Sequence, residues 1–240
     1  MFEKIEKLQI FYLGALLALG LVISTRIVTK NFNNNVISVT GSAYEIVRSD
    51  SGTLNFDINV KNQTKQEAYK TVQNQIEIVK KYLREKQIKN IELKTVNGYY
   101  SYKRNPKTGE YTDVPDVYNL TQPVTISSDN VELIKEISNN ITGLIDKGVD
   151  INAYAPSYDY SKLPDLKVSL LEKASKDAKA RATSMLKPTH NSVGKIQSVR
   201  MGVYQITPVD STNVSDMGIN DTSSIDKKVT AVANISFKIK

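Results

Sequence analysis

Residues 51–86, SGTLNFDINVKNQTKQEAYKTVQNQIEIVKKYLREK, change period partway along. The first ten alternate, with Leu54, Phe56, Ile58 and Val60 on one face and Asn55, Asp57 and Asn59 on the other. This predicts a strand with one wet face, because successive side chains of an extended chain point to opposite sides. Thr64 and Glu67 then have the spacing of a capping box, in which a hydroxyl and a carboxylate each satisfy a backbone amide left without a partner in the first helical turn. Behind the cap, Ala68, Tyr69, Val72, Ile76, Val79 and Leu83 recur at intervals of three and four, opposite Lys70, Gln73, Glu77, Lys80 and Lys81. An amphipathic helix ending near Lys86 is expected, with its apolar stripe packed in the core.

The alternation of strand and helix extends in both directions. Residues 36–47 (VISVTGSAYEIV) predict a strand bulged or kinked at Gly41 and joined to the next strand as a hairpin through residues 48–52. Residues 88–102 and 110–126 predict two more strands around the basic, turn-rich loop 103–109. A cap signature at Asp129–Glu132 opens a helix carrying Val131, Ile134, Ile137 and Ile141, with Gly143 and Gly148 bracketing its end. Residues 149–160 read as extended, with a bend at Pro156. Pro164 suits the first turn of a helix over 164–186, whose stripe is Leu166, Leu170, Leu171, Ala174, Ala178, Ala182 and Met185. Residues 193–207 and 227–240 close the chain as strands, and the polar stretch 211–224 is the expected mobile loop. The predicted class is α+β: a largely antiparallel or mixed open sheet with long amphipathic helices on it, in two β-α-β-β-like halves.

Residues 8–23 (LQIFYLGALLALGLVI) carry no charge. The 21 residues 8–28 would form about 31 Å of helix, enough to cross a hydrocarbon core. This predicts one N-terminal transmembrane helix, anchored by Leu8, Phe11, Leu13, Leu16, Leu17, Leu19, Leu21, Val22 and Ile23, with Arg26 at its end. A secretory signal has a shorter apolar core and a small-x-small cleavage site, whereas Ser-Thr-Arg-Ile-Val-Thr-Lys follows Ile23. An uncleaved signal anchor is therefore preferred, with a cleaved signal as the alternative, and both export the C-terminal part. The expected organisation is an anchor over residues 1–30, a spacer over 31–35 and one domain over 36–240. The expected location is the inner (cytoplasmic) membrane, single-pass, with the domain in the periplasm or otherwise outside the cytosol. Membrane lipid is then a partner through the N-terminal helix.

Composition excludes more than it identifies. Lys and Arg number 32 against 25 Asp and Glu, a net +7, and the positive charges are scattered rather than gathered in the stripe of a nucleic-acid binder. Without cysteine there is no disulfide, thiolate zinc site, iron–sulfur cluster or thiol nucleophile. A single histidine rules out a multi-histidine metal site. Asp113, Asp116, Asp146, Asp150, Asp159 and Asp165 lack calcium-loop spacing, and no phosphate loop or dinucleotide fingerprint is present. No metal, cofactor or catalytic residue is therefore assigned. His190 has the chemistry of a general base, but no Ser-x-Gly elbow or acidic partner lies near it, which favours a surface turn residue. Tyr99, Tyr100, Tyr102, Tyr111 and Tyr118 crowd the strands around Lys103, Arg104 and Lys107. Aromatics beside cations can stack on nucleobases, but cross-strand packing or a protein interface is the commoner cause and an exported chain does not meet nucleic acid. These five tyrosines are the candidate oligomer interface. The three cations offer a minor alternative, attraction to anionic lipid head groups.

Three segments carry a resemblance. ISVTGSAYEIVRSDSGTLNFDINV (37–60), through Val39, Gly41, Asp50, Thr53 and Leu54, resembles the opening strand pair of the SIMPL-domain family of bacterial exported proteins, the periplasmic immunogenic protein-like domains. It departs at Ser42-Ala43 and at Ser49, where proline is common in that family. YNLTQPVTISSDNV (118–131) is similar to the family's Y-x-A-x-x-x-V-x-V-x-D-L segment. LLEKASKDAKARATSM (170–185) with Val193-Gly194-Lys195-Ile196 resembles its alanine-rich helix signature, carried by Ala174, Ala178, Lys179, Ala180, Arg181, Ala182 and Gly194. Lys187-Pro188-Thr189-His190 replaces the usual end of that helix and should stop it early. The resemblance covers residues 36–240. It implies an exported or membrane-anchored protein without established catalytic residues, association of some members into ring-like homo-oligomers, and a link to cell-envelope or oxidative stress; with no catalytic group found in the sequence, a non-enzymatic protein is expected.

Two functions from different classes follow as expectations. One is a membrane-anchored structural protein that assembles with itself, as a ring, through sheet edges, the tyrosine hairpin and helix faces. The other is an exported small-ligand module or enzyme using a cleft near His190 and the tyrosine hairpin.

Overall fold

A computed structural model describes residues 12–26 and 35–240. Residues 12–26 form helix α1. The remaining elements are β1 (Val36–Arg48), β2 (Ser51–Asn62), α2 (Lys65–Glu85), β3 (Asn90–Leu93), β4 (Asn97–Arg104), β5 (Tyr111–Ser128), α3 (Val131–Asn140), β6 (Ile151–Ala153), β7 (Ser157–Asp159), α4 (Leu163–Leu186), β8 (Val193–Met201), β9 (Gln205–Pro208), β10 (Ile219–Asn220) and β11 (Asp226–Ile239). Short 3-10 turns follow α3 (Ile141–Lys147) and α4 (Lys187–Thr189). The class is α+β, with helices interspersed among the strands along the chain as the alternation predicts.

By internal packing the chain divides into two compact units. The larger comprises Ala43–Leu171 and Val203–Ala231, and the smaller comprises Met1–Ser42, Glu172–Gly202 and Val232–Lys240.

In the larger unit β2 and β5 form the longest antiparallel ladder, from Gly52 opposite Ser128 to Asn62 opposite Tyr118. The strand order is β3-β5-β2-β6, with β4 also on β5 and β7 also on β2. The inward residues of β2, Leu54, Phe56, Ile58 and Val60, meet the α2 stripe Ala68, Val72, Ile76, Val79 and Leu83 in one core, with Ile134, Ile137 and Ile141 from the α3 region. The capping box forms: the Thr64 hydroxyl accepts from Glu67 N at 3.3 Å, and the Glu67 carboxylate accepts from Thr64 N at 3.2 Å. Tyr69 leaves the predicted stripe and is exposed. The cap of α3 is Asn130 rather than Asp129; its side-chain oxygen accepts from Leu133 N at 3.2 Å. A second cluster in the same unit joins Leu166 and Leu170 of α4 to Val47, Ile206, Val229 and Ala231.

The single open sheet predicted from the alternation is two sheets, and the predicted β1–β2 hairpin does not form. β1 pairs with the last strand, in the order β1-β11-β9-β10 with β8 also on β11, while β2 belongs to the other sheet. Residues 49 and 50 make the transfer. Ser49 N donates to Ile225 O at 2.8 Å, and Asp50 N donates to Asp159 O at 2.9 Å, so consecutive amides serve different sheets. The predicted strand 88–102 is divided into β3 and β4, and strand 193–207 into β8 and β9. The expected mobile loop 211–224 contains β10, which runs parallel to β9, and Gln205 reaches across to bond Ser215 N and O at 3.3 Å and 2.7 Å.

Asp50 also braces the start of α4. Its carboxylate accepts from the Ser161 hydroxyl at 2.6 Å and Ser161 N at 2.8 Å. Those bonds favour the charged form and hold the Asp50 carboxyl below its ordinary 3.8. A depressed folded value means that the stabilisation is complete above the unfolded pKa and disappears as pH falls through the folded one. Thermal unfolding of Asp50→Asn should therefore be lower than wild type at neutral pH, and the two curves should converge as pH falls below the ordinary carboxylate range. A constant gap across that range would contradict the linkage.

In the smaller unit, β8 pairs antiparallel with β11 from Met201 opposite Ala233 to Val193 opposite Ile239. Ala174, Ala178 and Ala182 of α4 are buried, whereas Met185, predicted on the same stripe, is 61 % exposed. Gly41 produces no break in β1, which runs unbroken through it. Its role is close approach: a Cβ there would collide with the Ala174 carbonyl and the Ala178 amide of α4. Next to it, Asp177 accepts from Ser42 N at 2.8 Å and from Arg181 at 2.7 Å, which lowers its pKa, the backbone bond contributing most.

Helix α1 exposes every residue from 12 to 26. Among the described residues no helix is long and apolar enough to cross a membrane. At about 1.5 Å per residue, residues 12–26 extend for about 22 Å, short of the roughly 30 Å core of a bilayer. Leu8, Phe11 and residues 27–28 of the predicted span, and residues 31–34 of the spacer, lie outside the described residues.

Candidate functional site: the tyrosine hairpin and the apolar helix

The first seven residues of β5, 111–117, pair only with β4, so the β4–β5 hairpin extends past the rest of its sheet. Arg104 lies opposite Tyr111 near the tip and Asn97 opposite Thr121 at the base. Register slips occur between Tyr100 and Tyr102 and between Tyr102 and Arg104. At the first slip the Ser101 hydroxyl substitutes for the ladder, donating to Val117 O at 3.1 Å and accepting from Val117 N at 3.4 Å. The loop closes through Asn105 N to Glu110 O at 2.8 Å, and the Asn105 side chain accepts from Lys107 N at 2.9 Å.

Four of the five predicted tyrosines are on the surface: Tyr99, Tyr100, Tyr102 and Tyr111 are 67 %, 38 %, 47 % and 68 % exposed. Tyr118 is buried and belongs to the core, with Gly98 opposite leaving room for it; a Cβ on Gly98 would lie 2.5 Å from the Tyr118 hydroxyl. Tyr100 meets the Tyr118 ring edge-on, with centroids 4.8 Å apart. At the tip, the Arg104 guanidinium lies over the Tyr111 ring, 4.6 Å from its centroid, and donates to the Tyr111 hydroxyl at 2.8 Å. The hairpin thus presents an amphipathic aromatic surface, the composition that protein interfaces favour.

In α1, Leu13, Leu16, Leu17, Leu19, Leu21, Val22 and Ile23 are all more than half exposed. The residues predicted as an anchor that lie within the described chain are therefore apolar and uncovered. His190 caps the 3-10 turn after α4 with its backbone in the left-handed region (φ 56°) and is exposed. Among the described residues no group of three or more His, Cys, Asp or Glu side chains is placed to hold a metal ion.

Two features were not anticipated from sequence. Lys227 is 4 % exposed, and its ammonium donates to Tyr158 O at 2.7 Å and also to Asp221 O. Burial pushes its pKa down, while Asp221 and Asp159 pull it back up. The signal was present in β11, where Lys227 is in phase with the buried Val229, Ala231, Ala233, Ile235 and Phe237. The second is Arg48, which donates to both oxygens of Asp226 at 3.2 Å and to Glu132 of α3. Its partners lie 84 and 178 positions away, so no local pattern marks it.

No curated protein matches the chain. The family model SIMPL, described as a protein of unknown function (DUF541), matches residues 37–237. That span takes in all or nearly all of every strand and the three helices that follow α1, and on it the chain belongs to the SIMPL family.

Proposed function

We propose that this protein is a non-enzymatic, membrane-tethered domain that associates with copies of itself, as a ring-like homo-oligomer, in a structural or envelope-stress role. The observation that carries the proposal is α1: an apolar helix exposed at every residue from 12 to 26. Apolar surface of that kind has a large transfer free energy, which a bilayer relieves, and the apolar run of the sequence over residues 8–28 has the length that a span needs. Export places the body of the chain in the periplasm or otherwise outside the cytosol. Tethering confines copies to a plane and raises their effective concentration, so modest lateral contacts suffice for assembly. The exposed tyrosines of the β4–β5 hairpin supply such contacts.

The test uses the full chain. It should resist alkaline carbonate extraction from membranes, and in mild detergent at micromolar concentration it should sediment as an oligomer. Tyr99→Ser with Tyr111→Ser should weaken association at least about tenfold and leave Tm within about 2 °C, because both side chains are exposed. Carbonate-soluble protein would overturn the tether, and a monomer at those concentrations would overturn the assembly.

A further inference from the structure

A cleft of about 570 Å³ opens in the larger unit beside the first turn of α3, where the β7 edge meets the segments 209–210 and 223–226. We propose that this cleft binds a small zwitterion with an apolar side chain, a free amino acid or a short peptide. Its apolar wall is Ala155, Pro156, Val209 and Ile225. Tyr158 also lines it. Tyr158 as a residue is 4 % exposed, and its hydroxyl, which makes no hydrogen bond among the described residues, keeps contact with solvent. A hydroxyl so placed is a donor from which a bound ligand atom can accept in place of water. Burial, and then the nearby Glu132 carboxylate, raise its pKa, so it remains a protonated donor through the neutral range.

The charges around the cleft decide the ligand class. Glu132 and Asp226 are already bound to Arg48. Lys135 and Asp210 line the cleft and make no ion pair among the described residues. A simple cation would answer Asp210 and be repelled by Lys135, and a simple anion would meet the reverse. A molecule with an ammonium and a carboxylate answers both, and its apolar side chain covers the wall. The volume exceeds that of a single amino acid and accommodates a dipeptide.

The inference is independent of tethering and association, since binding is read on the single chain. Isothermal titration of the full chain in detergent with leucine and with the dipeptide Leu-Ala distinguishes the two sources. Isoamylamine, isocaproate and N-acetyl-leucine amide provide the cation alone, the anion alone and neither charge. At least one zwitterion should bind with a Kd of about 0.1–1 mM, and the three controls at least about tenfold more weakly. Tyr158→Phe should weaken zwitterion binding about five- to tenfold. Lys135→Met should weaken the zwitterion and strengthen isoamylamine, and Asp210→Asn should do the same for isocaproate. That reversal of preference would not come from general damage to the fold. No binding at about 10 mM, equal binding of the capped compound, or a preference unmoved by the two charge substitutions would overturn the proposal.

Discussion

Gly41→Ala is expected to destabilise the protein by at least about 3 kcal/mol, although it adds a single methyl group to a strand. The added carbon would overlap the Ala174 carbonyl and the Ala178 amide of α4 and lie 2.7 Å from the Ala178 Cβ. Two of these obstacles are backbone, so no rotamer change relieves them and the helix must move off the strand. That movement opens the packing of Ala174 and Ala178, both fully buried, and strains the bond from Ser42 N to Asp177 at 2.8 Å. A loss of 3 kcal/mol corresponds to a drop in Tm of roughly 6–12 °C for a chain of this size. Ala178→Gly added to Gly41→Ala should recover little, because the Ala174 carbonyl remains in the way. A melting temperature within about 2 °C of wild type would show that α4 is not held against β1 in this manner.

Lys227→Met should cost about 3 kcal/mol in urea unfolding despite replacing a charged residue with an apolar one of similar length. The ammonium is donor to the carbonyls of Tyr158 and Asp221, and removing it leaves two acceptors without their partner and Asp221 without its nearest cation. Removal of a buried charge alone would stabilise the core, so the sign of the effect measures which matters more, the desolvation of the lysine or the bonds it makes. Unchanged or increased stability would mean that the desolvation cost exceeds the hydrogen bonds. The same side chain ties β11 to β7 and to the loop before it, so amide exchange at residues 219–224 should accelerate in the variant.

The contrast between α2 and Lys227 shows how far sequence reading reaches. The α2 cap, its buried stripe and its end near Lys86 depend on residues a few positions apart, and the periodicity states which side chains share a face. Tyr69 shows the limit even there: it sits at the margin of the stripe, and only its neighbours determine that it faces outward. The strand at 51–60 was equally plain, but its partner was not. Alternation says that a strand has a buried face without saying which other strand lies beside it, so it points to the near neighbour β1, whereas the long ladder of β2 is with the distant β5. The cluster of tyrosines was legible as a cluster; which of them is core and which is surface was not, since Tyr118 is covered by contacts with distant strands whereas Tyr111 lies near the free tip of the hairpin.

From the sequence alone come the α+β class, most helices and strands, the apolar N-terminal run, the lack of cysteine with a single histidine, and the family. These rest on local periodicity, capping chemistry and composition, which a linear string records directly. Tertiary structure alone decided the transfer between two sheets at residues 49 and 50, the burial of Lys227, the pairing of Arg48 with Glu132 and Asp226, and the cleft beside Tyr158. Each of these brings together residues far apart in the chain, and their association is set by which surfaces pack once the chain has closed on itself.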